Sequence, residues 1–155
     1  MSPFVKCFAI VGLLIAFAVP VHASGIIATQ KAELKQVEFD AQGQEVISFI
    51  PASLVAPGET VRFTIEFENQ DETVIDNAVL VMPIPSEMTY LSHDDTSTSY
   101  KTSLSYDGAV NFWEAGAFPA DYDSTTMAVT HIKWEFVESI GISEEGAVFA
   151  YARLR

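Results

Sequence analysis

Phe112, Trp113, Phe118 and Tyr122 crowd into one short stretch that also carries Asp121 and Asp123. Exposed rings anchor interfaces, so these four aromatics could present a patch to a glycan or a protein partner. The two carboxylates could contribute to a calcium site, which needs about six to eight oxygen ligands, with Asp94 or Asp95 as further donors. The stretch lacks the alternating Asp/Asn pattern with a closing Glu that marks a dedicated calcium loop. Asp71-Glu72 with Asp76, and Glu144-Glu145, read as solvated acidic turns. Consecutive residues of an extended chain face opposite ways, so only one of Phe112 and Trp113 can enter a core unless a loop covers the other. Phe118, in the irregular region that follows, is expected to fold back over the exposed ring.

Catalysis by histidine has little to stand on. After residue 23 the histidines are His93, in a polar loop beside Asp94 and Asp95, and His131, between Thr130 and Ile132. Neither has a nucleophile-elbow context, and His131 is expected to face solvent beside Lys133 and Glu135. The sequence therefore points away from an enzyme and implies no cofactor.

The first 23 residues have the form of a secretory signal peptide: Lys6 supplies a positive charge, Cys7 to Val19 is apolar, Pro20 breaks the run, and Val21-His22-Ala23 puts small residues before a cut. The apolar run is shorter than the roughly 20 residues of a membrane span, so no stable membrane insertion is expected once the signal is removed. Cys7, the one cysteine, leaves with it, which excludes disulfides from the exported chain. The rest keeps all 21 acidic residues against seven of the eight Lys and Arg. Such a field repels nucleic acid and anionic lipid, and suits solubility in the periplasm or outside the cell.

The elements that would position these side chains are strands. Val61, Phe63, Ile65 and Phe67 alternate with Arg62, Thr64, Glu66 and Glu68, which gives an extended chain one apolar and one polar face. Ala56-Pro57-Gly58-Glu59 supplies the turn into it. Ile132, Trp134 and Phe136 alternate with His131, Lys133 and Glu135 in the same way, and Trp134 is expected in the core. Further strands are expected over Ala32–Phe39, Glu45–Ile50, Val74–Met82, Met88–Ser92, Tyr100–Tyr106, Val110–Trp113 and Ala147–Leu154, with Asp107-Gly108-Ala109 as a hairpin turn. Residues 24–31 read as a flexible tail, and 32–155 as one all-β antiparallel sandwich of about seven to nine strands.

The run Leu54 to Asn69, then Asn77-Ala78-Val79-Leu80-Val81 and Pro83-Ile84-Pro85 before Met88-Thr89-Tyr90-Leu91, resembles the "conserved repeat" domain of bacterial envelope and surface proteins, a domain of unknown function, number eleven. Ser105-Tyr106-Asp107-Gly108, Val129 to Trp134 and Gly146-Ala147-Val148-Phe149 follow in that family's order. The resemblance covers nearly all of the chain after the signal. It implies an immunoglobulin-like sandwich in a secreted or envelope protein, with a structural or adhesive role and no catalytic residues; the partner expected is an envelope protein, or a glycan held by the aromatic patch. Two positions depart from the family: Met82 stands where Asp is usual, and Gln70-Asp71 replaces a Gly-containing turn.

Overall fold

The computed structural model describes residues 25–94 and 96–155. The signal peptide expected over 1–23 and the side chain of Asp95 lie outside the described residues. Among the described residues nine strands follow in order: β1 (Ile26–Phe39), β2 (Glu45–Pro51), β3 (Thr60–Asn69), β4 (Val79–Pro83), β5 (Met88–His93), β6 (Tyr100–Ser105), β7 (Trp113–Glu114), β8 (His131–Phe136) and β9 (Glu145–Leu154). They form two antiparallel sheets, a five-stranded one ordered β2-β1-β3-β9-β5 and a four-stranded one ordered β4-β8-β6-β7.

β3 is the spine of the larger sheet. Its turn is made as its sequence predicts: the Glu59 N–H donates to the Ala56 carbonyl at 3.1 Å, and Gly58 takes the positive φ of 91° that a side chain would oppose. Val61, Phe63, Ile65 and Phe67 are buried, joined by Val148, Ala150 and Ala152 of β9. The smaller sheet contributes Leu80 and Met82 from β4, Leu104 from β6, and Ile132, Trp134 and Phe136 from β8. The two layers meet where the Phe67 ring packs edge-on against Phe136, centroids 5.1 Å apart. Gly146, opposite Phe67, makes that packing fit: a Cβ there would lie 2.4 Å from the Phe67 ring. Met82 is fully buried opposite Ile132, a place where a carboxylate would be costly.

Several expectations need correction. The chain from Ile26 to Lys31 is no loose tail: it is the first half of β1, paired residue by residue with β3 from Ile26 opposite Asn69 to Lys31 opposite Thr64. The pairing partner lies far along the chain, so local composition does not reveal it. The strand expected over Val74–Met82 is shortened to β4, because Asn77 adopts a φ of 54° and breaks the extended run. Ile75 survives as an isolated bridge to Ile140. Asp107-Gly108-Ala109 does not close a tight hairpin either. The Asp107 carboxylate accepts N–H groups from Val110 (3.2 Å) and Asn111 (2.9 Å), which winds the chain into a wider loop and leaves β7 two residues long.

The strand order also departs from the immunoglobulin arrangement. With β2 and β7 set aside, the constant-type order would put β6 between β3 and β5 and the last strand beside β8. Here β9 lies between β3 and β5, and β6 lies beside β8, so these two strands have exchanged sheets.

Beyond the body of the sandwich, β1 and β2 continue as a two-stranded arm. β1 pairs with β3 only as far as Leu34, opposite Val61, whereas its pairing with β2 runs on to Phe39 opposite Glu45. The tip is closed by Asp40, whose carboxylate accepts the N–H groups of Gln42 and Gln44. The base is fixed on the outer face of the sheet: the Arg62 guanidinium lies 3.6 Å above the Phe49 ring centroid and pairs with Glu33 at 2.7 Å.

Candidate functional site

The aromatic cluster is built from the end of β6 outward. Leu104 faces the core, and Tyr106, two residues on, is buried on the same side. β7 pairs Trp113 with Leu104, so Trp113 also turns inward and its ring lies 5.9 Å from that of Tyr106. Phe112 therefore takes the opposite face, where the Lys133 ammonium sits 4.8 Å from its ring centroid. The segment after β7 folds through short turns, with Ala117 N–H donating to the Glu114 carbonyl at 2.8 Å and Tyr122 N–H to the Pro119 carbonyl at 3.1 Å. This coil brings Phe118 and Tyr122 together at 4.4 Å, and Tyr122 packs edge-on against Tyr106 at 5.1 Å.

Phe118 thus packs on the inward cluster instead of the outward Phe112 ring that it was expected to cover. It lies on Tyr106 and Tyr122, while the outward ring of Phe112 lies under the Lys133 ammonium. The alternation rule separated Phe112 from Trp113 correctly, but it could not say which side the loop would take. Of the four candidate rings, Trp113, Phe118 and Tyr122 share one cluster, and Phe112 is outside it. Its hub, Tyr106, was missed; the signal was its even spacing from Leu104.

Beside this cluster opens a cleft of about 420 Å3, lined by Tyr90, Tyr106, Phe118, Tyr122, Thr125 and Arg155 among others. Aromatic faces, hydroxyls and one guanidinium are groups that stack on and hydrogen-bond to a polyhydroxylated ligand. Burial, with Tyr122 nearby, holds the Tyr106 hydroxyl above its ordinary range, so it stays a neutral donor. A wider trough of about 640 Å3 on the outer face of the larger sheet is lined by Glu66, Glu68 and Glu145, and holds no comparable set of rings.

The carboxylates do other work. Asp123 accepts from the Thr125 hydroxyl at 2.7 Å and its N–H at 2.8 Å, which lowers its pKa and pins its own turn. Asp121 is exposed. Among the described residues, no three His, Cys, Asp or Glu side chains gather as a metal ion would require. Asp107 is held down to about 2, first by the Asn111 N–H, then by the Asn111 side-chain amide, with Ser105 and Val110 adding to them. Its role is to shape the loop ahead of β7. His131 is half-buried rather than solvated, its Nδ1 3.2 Å from the Thr130 hydroxyl, and burial lowers its pKa. Tyr90 and His93 are hydrogen-bonded to one another through the phenol and Nδ1.

No family model, curated protein or solved structure matches the chain. The architecture stands as an all-β domain of two antiparallel sheets, with no family identified.

Proposed function

We propose that the chain is a non-enzymatic module, exported to the bacterial envelope or the extracellular space, that works by holding another macromolecule. The observation that carries this is the arm. Val37 (46% exposed), Phe39 (68%), Val46 (46%) and Ile47 (49%) are apolar side chains left in water on a projecting ribbon. Apolar surface gathered on one exposed element, instead of scattered, marks an interaction site. Its architecture is read as a variant of the immunoglobulin-like sandwich with two strands exchanged, in keeping with the resemblance to bacterial surface domains.

A photo-crosslinking residue placed at Phe39 in the producing cell is expected to give discrete adducts, and the same residue at Asp76, on the body of the sandwich, none. Equal labelling at both positions, or none at Phe39, would refute the proposal.

A second reading is favoured by the cleft, where Phe118 is 53% exposed against Tyr122. It is a glycan-binding surface, and stacking on Phe118 would carry the affinity. A glycan panel at millimolar concentration is expected to raise the melting temperature through binding to the native state, and Phe118→Ala to abolish the rise without lowering the unliganded melting temperature. A panel that leaves the melting temperature unchanged would remove this reading.

A further inference from the structure

The free edge of β2 has a geometry that selects a partner. The Ala52 N–H donates to the Ala32 carbonyl at 3.0 Å and the Asp40 N–H to the Gln44 carbonyl at 2.9 Å. These two bonds fix the phase of the β1–β2 ladder, since hydrogen-bonded and non-hydrogen-bonded pairs alternate along it. In this register, which sets Val46 opposite Glu38 and Ile50 opposite Leu34, Val46, Ser48 and Ile50 fall on the hydrogen-bonded pairs and direct their N–H and C=O groups toward β1. Glu45, Ile47 and Phe49 therefore direct theirs away from it, toward an edge that no strand occupies among the described residues. Val46 to Pro51 carries no charge, although the chain as a whole has a net charge of −13. Natural edges are guarded by charges, bulges or prolines, and this one is guarded only at its two ends.

We infer that β2 pairs antiparallel with β2 of a second copy of this chain, in a two-fold register centred on Ser48, to make one continuous sheet across the pair. This rests on the reading of the arm as an interaction surface and names its occupant. The register follows from the residues. Centring on Ser48 sets Ile47 opposite the partner's Phe49 and Phe49 opposite the partner's Ile47, and each of these pairs exchanges two backbone hydrogen bonds. Val46 faces the partner's Ile50. Glu45 faces the partner's Pro51, so no two like charges meet, and the residue without an N–H falls at the end of the ladder where least is lost. On the outer face, Val37 and Ile47 of one copy line up with Phe49 and Lys35 of the other, which covers side chains now in water. Two acidic bodies repel, so the association tightens with salt.

The test is sedimentation equilibrium of the exported protein up to about 200 µM, a range that detects the micromolar affinities of modest interfaces. A monomer–dimer equilibrium is expected, stronger at about 0.5 M than at about 0.05 M salt. Two variants address the edge without touching the arm's own ladder. Ile47→Lys places a charge on each side of the seam, and Ile47→Pro removes an N–H that faces only water in the monomer. Each is expected to weaken the dimer at least tenfold while far-UV circular dichroism and melting temperature stay those of the parent.

The register has its own check. Ser48 lies opposite the partner's Ser48 in a non-hydrogen-bonded pair, where Cα atoms sit about 4.5 Å apart and a disulfide fits. In the exported protein, Ser48→Cys should oxidise to a covalent dimer. A monomer at every concentration and salt overturns the inference. So does a dimer that survives both Ile47 variants, or one in which the Ser48→Cys pair does not close. If Phe39 crosslinks in cells to a different protein while the purified chain remains monomeric, the inference fails and the proposed function stands.

Discussion

Trp134→Ala should cost about 3–5 kcal/mol, a large fraction of the roughly 5–15 kcal/mol that holds a domain folded. Trp134 is fully buried in the middle of β8, between Leu80 of β4 and Thr102 of β6. It is the largest of the fully buried side chains, and its removal opens a cavity that both sheets line. One detail separates this site from a generic core position: its Nε1–H has no hydrogen-bond partner. An orphaned buried donor costs about 1–3 kcal/mol, so Trp134→Phe gives up ring volume but sheds that penalty. The expected order of stability is parent, then Trp134→Phe close behind, then Trp134→Ala far below. Urea unfolding followed by far-UV circular dichroism measures it without relying on the ring that has been removed. An alanine variant within about 1 kcal/mol of the parent would mean that the ring does not bridge the two layers.

How much of this was legible in the sequence depends on what each feature needs. The buried stripes of β3 and β8 need only alternation, and Val61 to Phe67 and Ile132 to Phe136 display it without interruption. β1 needs a partner: Ala28 and Gln30 have little strand character of their own, and their extended form comes from pairing with Phe67 and Ile65. The loop before β7 turned on one carboxylate capturing several N–H groups, a local competition with the ladder that the Asp-Gly pair concealed. Period two also says which residues share a face but not whether a second layer covers it. Val37 and Ile47 read as ordinary strand residues; only the register shows that β3 stops short of them. For the same reason the sequence located the rings of the cleft and missed the arm.

Asn69 offers the second large effect. It is fully buried at the end of β3, where its Nδ2 donates to the carbonyls of Thr73 (2.9 Å), Ile140 (3.1 Å) and Gly141 (2.9 Å), and its Oδ1 accepts the Asp71 N–H at 2.9 Å. Its backbone is engaged as well, donating to Glu144 and accepting from Ser143, each at 3.0 Å. One amide thus ties the end of β3 to the turn that follows it and to the loop before β9. Asn69→Ala strands these partners and is expected to cost about 3 kcal/mol.

Asn69→Asp, nearly the same shape, is expected to cost more at pH 7. Its carboxylate would point a negative charge, without a proton to donate, at three carbonyl oxygens in a site closed to water. That environment raises the folded-state pKa of the new acid above its ordinary value of about 3.9, so its contribution to stability is intact below that value and is lost as pH rises through the raised one. The gap between the Asp and Ala variants should therefore close, or reverse, when urea unfolding is repeated near pH 4, since the protonated acid can again donate to one carbonyl. Comparing the two variants at each pH cancels the repulsion that the rest of this acidic chain contributes. An Asp variant as stable as the parent at pH 7 would mean that the side chain at 69 makes no tie, and that the end of β3 is held by its backbone alone.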